Sequence, residues 1–281
     1  NSAATNDLSA VMHGGFSAAH AFGTLLVNGD DVQAFWIDTR AMSEKDTAGA
    51  AWRAVSRDGG ETFAPDHAVY ANDVCPCCQL SAVMSGDKVL LSSRMTYPGG
   101  FRDSAVGSGS VASNRFEQPV RVGEGQWKID GCPLKRTAIA AADRNVYTAA
   151  YTGGRDPGGV YFSRSVDGGR TFQLATMLHP GAAVSDAPTV AGAPNGTVIV
   201  AWHGKTGDGR RIYLRGSTDG GVSFSPVTEL PAPAGIAAYP ELDMAADGSA
   251  WLAWQQEQVA YVVHVTVSAG PDTAVVGLSV P

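Results

Sequence analysis

The four cysteines of this 281-residue chain form its most chemically specific pattern. Three of them, Cys75, Cys77 and Cys78, lie in the run N-D-V-C-P-C-C-Q at residues 72–79, and Cys132 lies in the run D-G-C-P at 130–133. Clustered thiolates bind soft metal ions such as Cu(I) or zinc. In an oxidising compartment the same residues pair as disulfides. The cysteine pattern therefore predicts either a metal centre or a pair of disulfide bonds.

The spacing of the cysteines is compatible with both disulfide formation and metal binding. A disulfide from residues 75–78 to Cys132 would stabilise the fold by about 4 kcal/mol on the chain-entropy model. The second disulfide would then be Cys75–Cys77 or Cys75–Cys78, and such short loops give awkward geometry. Adjacent thiolates separated by a proline can instead converge on one soft ion. We take the metal site as the first hypothesis, and one disulfide with two thiols as a redox-sensitive third state.

Three further residues are candidates to complete a copper site with the cysteines. They are His203, Met95 and His13, each of which carries a nitrogen or sulfur ligand that copper accepts. The cofactor that this set predicts is copper.

A repeated pattern identifies the elements that must position these side chains. The motif S-x-D-G-G-x-[ST]-F occurs at residues 56–63, 165–172 and 217–224, with a degenerate copy at 113–116. A recurrence at a period of about 50 residues indicates one supersecondary unit repeated along the chain. Within each motif the glycines supply the positive-φ positions of a tight turn, and the aspartate can bond the turn backbone. The turn aspartates are Asp58, Asp167 and Asp219.

This motif resembles the Asp-box (BNR) repeat of sialidase-like β-propellers. The resemblance implies an all-β fold, a single β-propeller of four-stranded antiparallel blades. We expect five blades, with six as the alternative. The predicted repeat units are residues 21–73, 78–125, 132–180, 186–231 and 238–281, and residues 1–20 are expected to help close the ring.

The resemblance also predicts on which face of the propeller each loop lies. The Asp-box turn joins the third and fourth strands of a blade and lies away from the active face. Cys78 and Cys132 would then begin the innermost strands of two adjacent blades, at the opposite face. We therefore expect the four sulfurs to meet there, near the mouth of the central channel.

The same resemblance implies glycoside hydrolysis as an alternative activity. Sialidases bind the substrate carboxylate with three arginines and use an aspartate acid and a tyrosine nucleophile assisted by a glutamate. The matching residues in this chain would be Arg40, Arg94, Arg136, Asp38, Tyr239 and Glu241. The Arg-Ile-Pro signature of the family is absent, and Asp38 with Arg40 also fits a turn with a local ion pair. A functional sialidase is therefore not expected.

The composition and charge of the chain bear on its partners and on its cellular location. A net charge of −7 disfavours nucleic acid as a partner, and no stretch is apolar enough to suggest a membrane span. The first residues would suit a mature N-terminus after export from a bacterial cytoplasm, which predicts a periplasmic or secreted protein. The leading hypothesis is an exported copper-binding protein that takes a metal ion or small ligand at the channel mouth and meets a metal-delivery partner. The alternatives are a sialidase-type hydrolase and a disulfide-stapled binding module without metal.

Overall fold

The computed structural model describes residues 20–42, 48–113, 115–123, 125–180, 185–207, 209–231 and 235–279. Every regular element in these ranges is a β-strand. Within the same ranges, no helix has the length and apolar character needed to cross a lipid bilayer. The chain divides into two compact units, Asn1–Pro119 with Lys128–Leu134, and Val120–Trp127 with Lys135–Pro281.

The first unit is an antiparallel sheet structure. Its strands are β1 (His20–Asn28), β2 (Asp31–Asp38), β3 (Gly49–Ser56), β4 (His67–Val74), β5 (Ser81–Ser85), β6 (Lys88–Tyr97) and β7 (Phe101–Ser110). Strands β1 to β4 pair in sequence order, and β6 pairs with both β5 and β7. A single residue pair, Val74 with Met95, joins β4 to β6.

The second unit contains three four-stranded antiparallel sheets. Its strands are β8 (Val120–Arg121), β9 (Thr137–Ala142), β10 (Asn145–Thr152), β11 (Gly159–Ser165), β12 (Thr176–Met177), β13 (Ser185–Gly192), β14 (Val198–Thr206), β15 (Gly209–Ser217), β16 (Thr228–Glu229), β17 (Ala237–Met244), β18 (Ala250–Gln256), β19 (Val259–Ala269) and β20 (Ala274–Ser279). Strands β9–β12, β13–β16 and β17–β20 each form one sheet in sequence order.

These four-stranded antiparallel sheets are the blades of a β-propeller. The three sheets of the second unit, together with the strands of the first unit, are compatible with five blades. The blade count stays a prediction. The C-terminal strand β20 pairs with β19 as the fourth strand of the last sheet. Residues 1–19, expected to help closure, lie outside the described residues.

Strand β14 shows how the sheets of the second unit stack. Its residues Val198 to Trp202 are all fully buried, so both faces of the strand are covered. Val200 and Trp202 pack with Tyr147 on one side. Ile199 and Ala201 point the other way and belong to a cluster that includes residues of β18 and β19. The continuous apolar run is therefore a central strand between two neighbouring sheets.

The repeated turns are built by local hydrogen bonds. Asp219 accepts bonds from the hydroxyls of Ser217 at 2.7 Å and Ser223 at 2.6 Å, and from the backbone N–H of Ser223 at 2.9 Å. Gly220 and Gly221 adopt φ values of +70° and +80°, which residues other than glycine adopt only with strain. Equivalent bonds form at the turns after Ser56 and Ser165, so the shared motif has one shared geometry.

Replacing Asp219 with alanine should destabilise the protein by about 1–2 kcal/mol, because four donors of the turn lose a charged acceptor. Urea unfolding would measure this as a lower midpoint with an unchanged slope. The matched control is Asp243→Ala, which removes an exposed carboxylate from β17 and should change stability by less than about 0.5 kcal/mol. Equal midpoints for the two variants would refute the structural role of the turn aspartate.

Candidate metal centre

The loop at residues 75–80, which joins β4 to β5, is fixed at both ends by backbone hydrogen bonds. The N–H of Cys75 donates to the carbonyl of Arg94 at 2.8 Å, and the N–H of Leu80 donates to the carbonyl of Phe22 at 3.0 Å. Gly49 of β3 lies against this loop, and a Cβ atom there would be 3.5 Å from the Cα of Pro76 and 3.1 Å from Ile37. The loop therefore packs closely onto the start of β3.

The structure brings all four cysteines together. The Sγ of Cys75 lies 3.7 Å from that of Cys77 and 3.6 Å from that of Cys78, and the Sγ atoms of Cys77 and Cys78 are 3.9 Å apart. Cys77 forms a disulfide with Cys132, with the two Cα atoms 6.0 Å apart. Cys75 and Cys78 are thiols. The sulfurs of Cys75, Cys77 and Cys132 all lie within 4.8 Å of one another.

Access to this sulfur cluster is one-sided. The side chains of Cys75 and Cys78 are fully buried and Cys77 is 8% exposed, whereas Cys132 is exposed. The segment that carries Cys132 is held by a hydrogen bond from the N–H of Ile129 to the carbonyl of Gly100. A reactant from solvent therefore meets Cys132 before the other three cysteines.

The cluster and the nearest Gly-Gly turn lie at opposite ends of β3. Gly49, the first residue of the strand, pairs with Val74 next to Cys75, and Ser56, the last, begins the turn that contains Gly59 and Gly60. At about 3.3 Å per residue, the strand separates the two features by roughly 25 Å. Within the first unit, the sulfurs and the repeated turn are thus on opposite faces.

A buried guanidinium borders the thiols. Arg94 is 1% exposed, and its Nη1 donates to the carbonyl of Arg102 at 2.8 Å. Burial lowers the pKa of Arg94, while its charge interactions with Cys78, Cys75 and Asp103, and its hydrogen bond with Cys78, oppose that shift. The hydrogen bond from Cys78 is the main reason that the pKa of Cys75 falls to about 7, and the positive charges of Arg102 and Arg94 add to it. These surroundings favour the anionic form of the Cys75 sulfur.

Of the residues proposed to complete a copper site, Met95 is buried near Val74 in the core of the first unit. Its sulfur accepts a hydrogen bond from the hydroxyl of Ser93 at 3.2 Å. His203 belongs to the second unit, where its Nδ1 accepts the N–H of Tyr239 at 3.2 Å. His13 lies outside the described residues. A ligand role for these three residues stays a prediction.

The sialidase-type residues of the first unit are held by internal partners. Arg40 donates to Asp38 through Nε at 2.9 Å and Nη2 at 2.6 Å, and Nη2 also contacts Asp66 at 3.0 Å. Its guanidinium stacks on the ring of Trp52, 3.7 Å from the centroid. Asp38 and Arg40 therefore form a local ion pair, and Arg94 lies buried beside the thiols.

In the second unit, Arg136 and Glu241 form an ion pair at 2.6 Å. Arg136 also donates from Nε to the carbonyl of Pro188 at 3.0 Å. Tyr239 is 62% exposed and has a φ of +54° at a bulge in β17, an unusual backbone conformation for an aromatic residue. Arg136 therefore contacts the start of β17, where Tyr239 and Glu241 lie. A catalytic role for these residues stays a prediction.

The sequence does not reveal the relation between Arg94 and the cysteines. The resemblance to sialidases predicts that Arg94 binds a substrate carboxylate, and nothing in the sequence singles out Arg102. Met95 is a candidate ligand next to Arg94, but no motif connects residues 94 and 102 to residues 75–78. Only the pairing of β4 with β6 and of β6 with β7 brings them together.

Comparisons with known proteins show the fold of the chain. No family model and no curated protein matches it. Among solved structures, an α-L-arabinofuranosidase of Fusarium graminearum is similar with a TM-score of 0.58 and 13% identity, over 92% of this chain and 80% of that one. An α-L-arabinanase of Penicillium chrysogenum has a TM-score of 0.57 and 12% identity, with 93% of both chains covered.

The NanB sialidase from Streptococcus pneumoniae is similar with a TM-score of 0.55 and 11% identity, over 91% of this chain. The match spans 60% of that sialidase, so this chain corresponds to about three fifths of its length. At these identities the likeness concerns the backbone fold alone. The repeated turns, the four-stranded antiparallel sheets and these structural neighbours together show that the chain has the fold of the sialidase-like β-propellers.

Proposed function

We propose that the reduced cysteine cluster binds a soft metal ion, with Cu(I) as the physiological ion. The observation that carries the proposal is the spacing of the sulfurs of Cys75, Cys77 and Cys78, 3.6–3.9 Å apart. A tetrahedral thiolate site with metal–sulfur bonds of about 2.3 Å has sulfurs roughly 3.8 Å apart. The loop thus already holds three sulfurs at the separation that a metal requires, and Cys132 is the fourth ligand.

The charge of the site supports the same proposal. A Cu(I) ion with three or four thiolates is a net anion, and a buried anion is costly without a nearby cation. Arg94 places a buried guanidinium beside Cys78. Soft sulfur ligands favour Cu(I) over harder ions, and zinc is the main competitor.

The biological role that follows is copper sequestration, delivery or electron transfer in the periplasm or outside the cell, with a metal-delivery protein as partner. Two alternatives remain testable. A disulfide-stapled module would keep the Cys77–Cys132 bond and bind no metal. A sialidase-type hydrolase would use Tyr239, Glu241 and Arg136, but it would lack the substrate contacts of Arg94, which is buried, and of Arg40, which is bound to Asp38.

The decisive experiment is a Cu(I) titration of the fully reduced protein, without oxygen and against a competing chelator. We expect one ion per chain and protection of all four thiols from alkylation, because the sulfurs share one metal. Zn(II) in a parallel titration tests ion selectivity. Protein that has four reactive thiols but leaves all the Cu(I) with the chelator would contradict the proposal. Hydrolysis of a fluorogenic sialoside or arabinoside by the metal-free protein would favour the hydrolase.

A further inference from the structure

The two sulfurs of the Cys77–Cys132 disulfide differ sharply in their surroundings. Cys77 is 8% exposed and its sulfur has the sulfurs of Cys75 and Cys78 at 3.7 and 3.9 Å. Cys132 is exposed to solvent. Disulfide exchange requires a thiolate to approach one of the two sulfurs, so access decides which sulfur is attacked. An external thiolate can reach Cys132 and is blocked from Cys77 by the buried loop.

We propose that the Cys77–Cys132 disulfide is a redox gate for the sulfur cluster, opened at Cys132 by a dithiol protein. A thiolate of the partner attacks the sulfur of Cys132, the bond to Cys77 breaks, and Cys77 leaves as a thiolate. The second thiol of the partner then attacks the mixed disulfide and releases Cys132. The partner dithiol is oxidised to a disulfide, and the gate is reduced to two thiols.

The structure also indicates why the reductant must carry two thiols. After the first attack, Cys77 remains fixed beside Cys132, because the loop is anchored through the N–H of Cys75. A nearby thiolate has a high effective concentration, so Cys77 would expel a monothiol and restore the disulfide. A dithiol resolves the mixed disulfide by an intramolecular step of its own. Small monothiols should therefore open the gate poorly.

The metal-binding consequence of this gate rests on the proposed function. In the oxidised state only Cys75 and Cys78 are thiols, so the cluster offers two thiolates. Reduction at Cys132 adds Cys77 and Cys132 and completes the set of four. Metal bound by four thiolates would in turn protect the cluster from reoxidation, because the thiolates are then occupied. Copper uptake is thereby coupled to a dithiol donor.

The exchange step can be tested without metal. Oxidised protein is treated with glutathione, quenched with acid and mapped by mass spectrometry, and we expect the glutathione adduct on Cys132. An adduct on Cys77 would overturn the proposal. At equal thiol concentration, the ratio of reduced to oxidised Cys77–Cys132 should be at least about 10-fold higher with dithiothreitol than with glutathione, since the second thiol of dithiothreitol resolves the mixed disulfide. Equal reduction by both reagents would contradict the need for a dithiol.

A double variant, Cys75→Ser with Cys78→Ser, keeps the gate disulfide and removes the other two thiols. It should give the same adduct on Cys132, which shows that the gate itself reacts and that exchange within the loop is not responsible. Loss of the adduct in this variant would mean that the reaction proceeds through internal disulfide exchange by the thiols of Cys75 and Cys78, against the proposal. Its unfolding midpoint, compared with that of wild type, verifies that the variant is folded.

Coupling to metal is measured separately with Cu(I) and the competing chelator. Wild-type protein reduced with a phosphine and then desalted should bind Cu(I) at least about 100-fold more tightly than the oxidised protein, because two ligands are added. Equal affinities in the two states would overturn the gate. If neither state binds Cu(I), the proposed metal function fails, while the adduct position still decides whether Cys132 is the exchange point.

Discussion

Replacing Cys78 with serine should weaken Cu(I) binding by the reduced protein by about 100-fold or more, because it removes a ligand. Loss of a residue that only hydrogen-bonds a ligand typically weakens metal binding by about 10–100-fold. Cys78 is fully buried, and its sulfur lies 3.6 Å from that of Cys75 and 3.9 Å from that of Cys77. A hydroxyl occupies nearly the same volume but is a hard donor that Cu(I) binds poorly. The measurement is the same chelator competition, at equal protein concentration and with all remaining thiols reduced.

Met95→Leu is the companion variant, because it removes a buried sulfur of the same unit at nearly constant volume. Affinity that falls in this variant as well would identify Met95 as a ligand, and unchanged affinity would limit the site to the cysteines. Cys78→Ser protein that binds Cu(I) as tightly as wild type would remove Cys78 from the site. Thermal unfolding of each variant separates loss of a ligand from loss of the fold.

Replacing Arg94 with methionine should weaken Cu(I) binding by about 10–100-fold, the range observed when outer partners of metal ligands are removed. The reduced cluster with its ion is anionic, and Arg94 is the buried cation beside Cys78. Arg94→Lys keeps the charge while losing the planar guanidinium, so its affinity should lie between those of wild type and Arg94→Met. Arg57→Met is the control, since it removes an exposed guanidinium of the same unit that pairs with Asp31.

Stability must be followed in the same variants. Arg94→Met removes the donor that Arg94 provides to the carbonyl of Arg102 at 2.8 Å and the positive charge that interacts with the buried carboxylate of Asp103. Loss of a buried hydrogen-bond partner costs about 1–3 kcal/mol, and more for a charged group. Equal affinity losses in Arg94→Lys and Arg94→Met, accompanied by equal destabilisation, would indicate a packing role and contradict electrostatic support of the metal. An affinity loss of similar size in Arg57→Met would point to overall charge instead of local charge.

Much of the fold could be predicted because its signals are local. At each repeated turn, the aspartate bonds residues no more than four positions away, so the motif S-x-D-G-G-x-[ST]-F carries its own geometry wherever it occurs. The apolar run at 198–202 is likewise a local signal, and its strand is covered on both faces in the structure. The blade count could not be predicted in this way, because ring closure depends on contacts between the ends of the chain.

In the candidate site, too, the features with local signals could be predicted and those that depend on distant contacts could not. The sequence by itself determined the turn geometry, because each turn is built from residues within one short motif. The resemblance that this motif carries implied the antiparallel strands and the grouping of cysteines 75–78 with Cys132 on the face opposite the turns. Only the tertiary structure decided that Cys77 pairs with Cys132 and that Arg94 is buried against Cys78. Both outcomes depend on distances between segments far apart in the chain, and no local pattern encodes those distances.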